Sequence, residues 1–285
     1  MADLVFPELP SIGPLLARGV AGSIGAGRGA RPVPGRAAIV ASHRQDIARL
    51  SAYARVCGFT LRDHVPPTWL HVLTFPLQAA LMAERDFPYA LAGLVHASNS
   101  MMLHRPVSVG EELALVVRAG NARPHRKGAL FDLLGEVRGR GGETVWTGTS
   151  SYLALGGKVA GASAPAEAEP AASEVALPAI SQQWRLPADL GRQYAAVSGD
   201  VNPIHLNALT ARVFGFKRPI IHGMWTHARV IAALEPRLPD AYTVDVEFKR
   251  PILLPGKAGF ATDGSSFAVT NRDGKPYLTG SITPA

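Results

Sequence analysis

A tandem repetition constrains this chain more than any other feature. Tyr53-Ala54-Arg55-Val56-Cys57-Gly58 is echoed by Tyr194-Ala195-Ala196-Val197-Ser198-Gly199, at an offset of 141 residues. Leu103-His104-Arg105-Pro106-Val107 is echoed by Phe248-Lys249-Arg250-Pro251-Ile252, at an offset of 145. Two matched pairs in one order, at nearly equal offsets, point to duplication of one supersecondary unit. Between its two anchors each copy carries a Pro-led apolar segment, Pro67 to Met82 in one and Pro219 to Leu234 in the other. Beyond Arg-Pro each copy runs into alternating, turn-punctuated stretches. These are 112–121, 129–137 and 144–155 in the first copy, and 257–262, 266–271 and 276–283 in the second. Alternation broken by Gly-rich turns predicts antiparallel strands.

Each copy therefore reads as a short strand, a Tyr-bearing helix, a second apolar helix and at least three long antiparallel strands. The second helix of the C-terminal copy is apolar on most faces (Ile220, Ile221, Met224, Val230, Ile231, Leu234), which marks it as buried. A sheet wrapped around one buried helix is an α+β arrangement. The expected division is an N-terminal Gly/Pro-rich segment (1–36), a first copy (37–156), an Ala/Pro/Glu-rich linker (157–178) and a second copy (179–285). The glycines at 17–36 do not form a phosphate loop, since they include no GxxxxGK[ST].

Composition narrows the function classes. Of 285 residues, 47% are hydrophobic and 18% charged, which supports a folded core and excludes global disorder. No apolar run reaches the ~18–20 residues that span a bilayer, and no secretory signal pattern opens the chain. One cysteine, Cys57, permits neither an intramolecular disulfide nor a Cys-based zinc site, so a cytoplasmic setting is expected. The net charge of +7 is spread singly along the chain, which disfavours nucleic acid as a partner and leaves anionic small ligands open.

The densest polar constellation is Ser198-Gly199-Asp200-Val201-Asn202-Pro203-Ile204-His205. Gly199 and Pro203 prevent a continuous helix, so this is a shaped loop. An Asp and a His on such a loop can hold one water and move its proton. An Asx-type turn capping the next helix accounts for the same residues. Seventeen residues after His205, His222-Gly223-Met224 opens the buried apolar helix. Free amides at a helix N-terminus stabilise developing negative charge on a carbonyl oxygen. Gly223 would let a ligand approach that backbone, or would simply allow tight helix–sheet packing. His222 and His227 are five apart, not one helical turn, and do not suggest a shared metal.

The run from Tyr194 through Ser198, Asp200, Asn202 and His205, then Gly215-Phe216-Lys217-Arg218-Pro219-Ile220-Ile221-His222-Gly223-Met224, then Phe248-Lys249-Arg250-Pro251, resembles the MaoC-like dehydratases. It matches the hydratase 2 motif of (R)-specific enoyl-CoA hydratases and covers about residues 182–285. The resemblance implies a double hot-dog fold and reversible syn addition of water to a trans-2-enoyl thioester, giving a (3R)-hydroxyacyl thioester. It implies Asp200 and His205 as the catalytic pair, Asn202 as their orienting neighbour, and the Gly223 amide as the site of the thioester carbonyl. It extends less firmly to Tyr194, Ser198, His222, Lys249 and Arg250 as substrate-binding residues. No metal or redox cofactor is implied; coenzyme A or acyl carrier protein enters as part of the substrate. A homodimer is compatible with such a fold.

The first copy departs from the motif. Phe59 stands where the pattern wants Asp, no Asn-Pro-x-His comes after it, and Pro67-Thr68-Trp69-Leu70 lacks His-Gly. This copy is expected to be structural or to lodge the acyl chain. The rival readings are a hot-dog thioesterase and a non-catalytic acyl-thioester-binding subunit. The intact Asp-x-Asn-Pro-x-His run speaks against both.

Overall fold

In the computed structural model, residues 2–15, 31–91, 93–162 and 179–285 are described. Residues 16–30, within the expected N-terminal Gly/Pro segment, and 163–178, most of the expected linker, lie outside them. The elements are strands β1 (Leu4–Phe6) and β2 (Ala37–His43), helices α1 (Ile47–Cys57) and α2 (Pro67–Met82), and strands β3 (Leu94–Leu103), β4 (Leu113–His125), β5 (Gly128–Arg138) and β6 (Thr144–Leu155). The second copy comprises β7 (Ile180–Leu186), α3 (Leu190–Ser198), α4 (Ala208–Val213), α5 (Gly223–Leu234), β8 (Tyr242–Phe248), β9 (Gly256–Thr262), β10 (Ser266–Thr270) and β11 (Pro276–Pro284).

Two packed units share these elements, and they do not divide the sequence linearly. One contains Arg44–Val72 and Ser100–Glu111 together with the C-terminal copy; the other contains the rest. Helix α1, read from sequence with the first copy, thus packs with the second. Its apolar stripe explains this: Leu50, Tyr53, Ala54 and Cys57 are buried at helical spacing, as are Tyr194, Ala195 and Val197 on α3. The rings of Tyr53 and Tyr194, equivalent residues of the duplication, lie 6.1 Å apart.

Within the C-terminal unit the strands are ordered β8-β11-β10-β9-β7, all pairs antiparallel. Trp184, Val244, Val246, Phe260, Phe267 and Leu278 are buried from this sheet. Helix α5 is buried at Met224, Trp225, Thr226, His227, Ala228, Val230, Ile231 and Leu234, as its all-round apolar pattern predicts. Its entry is pinned by backbone bonds. Ile221 N–H donates to Ile252 O (3.0 Å) and Leu254 N–H to Pro219 O (2.8 Å). The N-terminus of α5 therefore has a fixed place beside the end of β8.

The other unit orders its strands β1-β2-β4-β5-β6. The strand β1 falls inside the N-terminal Gly/Pro-rich segment, where no strand was expected. It pairs in parallel with β2, and Asp3 accepts the Ala37 N–H at 2.7 Å. Phe6 packs beside Leu15, Ala79, Ala80 and Ala83, so three apolar residues ahead of Pro7 suffice to cover the edge of β2 and the end of α2. Among the described residues no helix is long and apolar enough to cross a membrane.

Candidate active site

The loop between α3 and α5 brings Asp200, His205 and His222 together. One polar atom from each lies within 4.8 Å of the others. The loop owes its shape to residues legible in the sequence. Gly199 ends α3 in the left-handed region (φ 80°), returning its N–H to Ala195 O. Asp200 then donates its N–H to Ser198 Oγ (3.2 Å) and accepts the Asn202 N–H at Oδ1 (3.2 Å). Asn202 caps a short 3-10 turn, Pro203–His205, by accepting the Ile204 N–H. The Asx-type turn is present, and it is what presents the catalytic candidates.

His205 is buried, with its Nδ1 2.8 Å from Ile220 O. A carbonyl can only accept, so Nδ1 carries the proton and Nε2 keeps its lone pair. Burial lowers the affinity of this ring for a second proton, opposed by the Asp200 carboxylate. Asp200 is recessed, with 28% of its side chain exposed, and burial raises its pKa above the ordinary carboxylate value, opposed by His205. The site thus holds a carboxylate whose proton affinity is raised beside a neutral imidazole. Two acceptors sharing one water, each at about 2.8 Å, stand about 4.5 Å apart or less, and a ring nitrogen of His205 lies within 4.8 Å of an Asp200 carboxylate oxygen.

His222 supports this arrangement from behind. Its Nε2 donates to Asp200 O at 2.9 Å, and its ring stacks on His205 with centroids 3.6 Å apart and planes 26° from parallel. Burial, joined by the neighbouring His205, holds it well below the usual histidine range, so it stays neutral. Tyr194 closes the back, its ring 4.8 Å from that of His222. The backbone of Asp200 is thereby gripped at its N–H by Ser198 and at its C=O by His222.

Gly223 is the first residue of α5, whose N-cap, His222, gives no side-chain cap. The first-turn amides therefore point their positive end at the site without a capping side chain. A Cβ at Gly223 would come within 2.9 Å of the Phe248 ring, so the residue also serves tight packing. Phe248 brings its neighbours Lys249 and Arg250 to the same end of the helix. Both are exposed, and Lys249 pairs with Glu247. Two contributors escaped the sequence reading. The Ile220 carbonyl, which fixes the His205 tautomer, gives no side-chain signal. Gly191 packs against the backbone of His205, and a glycine inside a helix was its visible sign.

Residues 172–263 match the model of the MaoC like domain, and residues 46–145 that of the FAS1-like dehydratase domain region. The chain is 36% identical over 256 residues to 3-hydroxyacyl-thioester dehydratase X of Mycobacterium tuberculosis, covering 88% of this chain and 90% of that protein. The crystal structure of that protein, HtdX, superposes with a TM-score of 0.76 over 88% of this chain and all of its own. An (R)-specific enoyl-CoA hydratase from Aeromonas caviae is 30% identical over 86 residues, 30% of this chain and 64% of that protein. A MaoC-like dehydratase from Phytophthora capsici, 19% identical, shares the fold with a TM-score of 0.68, over 90% of this chain and 98% of its own.

Proposed function

The chain belongs to the MaoC-like 3-hydroxyacyl-thioester dehydratases, and from that premise we propose that it interconverts trans-2-enoyl and (3R)-hydroxyacyl thioesters in fatty-acid metabolism. The observation that carries the reading is the His205 lone pair. Its Nδ1–H bond to Ile220 O leaves Nε2 with its lone pair, on a ring grouped with the Asp200 carboxylate. Water held by that pair lies on one face of a bound enoyl group. Its oxygen bonds to C3 while Asp200 or His205 takes one of its protons. The electron pair of the C2–C3 double bond moves toward the thioester carbonyl, whose oxygen sits at the Gly223 amide. A proton then returns to C2 on the same face, which makes the addition syn. Dehydration is the reverse.

The chemistry balances with water alone, and the reading assigns no metal or redox cofactor. The thioester is carried by coenzyme A or by acyl carrier protein; both are anionic and suit a chain of net charge +7. In the first copy Phe59 replaces the aspartate, so catalysis is assigned to the second copy alone, with residues 37–156 in a structural or acyl-lodging role.

The test is hydration of short and long trans-2-enoyl-CoA by the full chain, monitored by loss of enoyl absorbance, with chiral analysis of the product. The reading requires a (3R)-hydroxyacyl product. Release of free thiol instead indicates a thioesterase. Binding without turnover, on coenzyme A and carrier-protein thioesters alike, leaves the non-catalytic subunit.

A further inference from the structure

A residue from outside the motif reaches the catalytic loop. Arg49 on α1 donates from Nε to Val197 O (2.8 Å) and from Nη2 to Ser198 O (3.1 Å). These are the last carbonyls of α3, immediately before Gly199 and Asp200. Such end carbonyls have no partner within their own helix and carry the negative end of its dipole. A guanidinium fork can engage two of them at once. The fork is itself held: its Cζ lies 5.3 Å from the Trp69 ring centre, and Trp69 is anchored by its indole N–H to Gln45 Oε1 at 3.1 Å. At the other end of the residue, the Arg49 N–H is accepted by Asp46 Oδ1 at 3.0 Å.

A second arginine, not the duplicate of Arg49, serves the end of α1. Arg229 on α5 donates to Gly58 O (3.3 Å) and lies over the Trp184 ring at 5.4 Å, while Trp225 donates to Val56 O at 3.0 Å. Together these two side chains hold the C-terminal end of α1, where Arg49 alone forks onto that of α3. The residues beyond the two caps differ. After Gly58 comes Phe59, with no catalytic pair; after Gly199 comes Asp200.

We propose that Arg49 is a positioning residue for the hydration site, fixing the Val197–Ser198 backbone from which Asp200 is hung. The proposal rests on the reading of Asp200 and His205 as the water-holding pair. The link is continuous. Arg49 holds the Ser198 carbonyl, Ser198 Oγ holds the Asp200 N–H, and His222 holds the Asp200 carbonyl. A small displacement of reacting groups costs up to about a hundredfold in rate, so loss of this clamp acts on kcat and leaves thioester binding in place.

The experiment compares Arg49→Ala, Arg49→Lys and Arg229→Ala in the full chain. It reads kcat and KM on trans-2-enoyl-CoA, melting temperature, and amide hydrogen exchange over residues 199–205. Arg49→Ala is expected to lower kcat by about ten- to a hundredfold with KM nearly unchanged, and to speed exchange over 199–205. Arg49→Lys keeps the cation but loses the fork, and recovers part of kcat; if the alanine variant fails to fold, the lysine variant carries the comparison. Arg229→Ala is expected to lose similar stability while kcat and loop exchange stay near wild type. Equal kcat and equal loop exchange in the Arg49 and Arg229 variants would overturn the proposal and make Arg49 an ordinary helix cap. A rise in KM at constant kcat would overturn it in favour of substrate contact. Absence of turnover in the wild type would remove the proposed function, and the exchange contrast would still decide whether Arg49 holds the loop.

Discussion

Gly191→Ala sets helix propensity against the geometry of the site. Gly191 is the second residue of α3 and is buried. A Cβ built there would overlap the His205 carbonyl oxygen and stand 3.2 Å from its carbonyl carbon and 3.4 Å from Leu254 Cδ1. Restoring an ordinary C···O separation of about 3.3 Å moves the two backbones apart by on the order of 1 Å. His205 is tied to Ile220 O at 2.8 Å, so the shift either breaks that bond or drags the imidazole away from Asp200. Propensity alone would make alanine more stable by about 0.5–1 kcal/mol in a helix. Overpacking of this kind costs about 1–3 kcal/mol, so the net expectation is a loss of roughly 0–2.5 kcal/mol. Displacement by about 1 Å is expected to lower kcat by about a hundredfold. Thermal melts and steady-state hydration of a trans-2-enoyl thioester measure both quantities. A variant that melts higher than wild type with unchanged kcat would show that Gly191 does not set the position of His205.

The buried titratable groups lead to two further outcomes. Asp200 is raised by burial and His205 lowered, so kcat/KM is expected to climb along one acid limb above the ordinary carboxylate range and then stay level through neutral pH; a rate that falls again on passing from pH 6 to 8 would contradict a neutral His205. His227 and His71 are held by burial to about 3 and about 4, and His227 has no hydrogen-bond partner at either nitrogen among the described residues. Their folded pKa values lie below the unfolded value of 6.5, so the unfolded chain binds more protons and stability is lost as pH falls from 6.5 toward 4. The slope approaches about 1.4 kcal/mol per pH unit for each ring. Denaturant melts of His227→Leu between pH 7 and 5 are expected to show a shallower slope than wild type, and an unchanged slope would remove His227 as a source of acid lability.

Much of the architecture was legible because local patterns report it. The expected stretches at 144–155 and 257–262 coincide with β6 and β9 to within a residue, since alternation and Gly-rich turns act at short range. Asp200 and His205 were legible for the same reason: Gly199, Asn202 and Pro203 build the loop from adjacent residues. The features that escaped notice depend on contacts distant in sequence. The packing of α1 with the C-terminal unit arises from a stripe whose partner stripe is about 140 residues away. β1 is too short to show alternation and exists because β2 offers an edge. His222 stood out by motif resemblance, yet its grip on the Asp200 carbonyl could not be read from a spacing of 22 residues. The apolar residues of α2 fit equally an acyl-binding wall and a core; Trp69, Leu70, Val72, Leu73 and Leu77 are buried in the structure.

The central claim is that Asp200 and His205 share one water and act as a unit. Hydration of a trans-2-enoyl thioester by Asp200→Asn, His205→Gln and the double variant, each with its melting temperature, tests it most directly. Each single variant is expected to lose about 10²–10⁴ in kcat while remaining folded. The double variant is expected to lose little more than the worse single, because a unit broken once has little left to lose. Substantial turnover in either single variant, or losses that multiply in the double, would contradict a shared water and place the chemistry elsewhere.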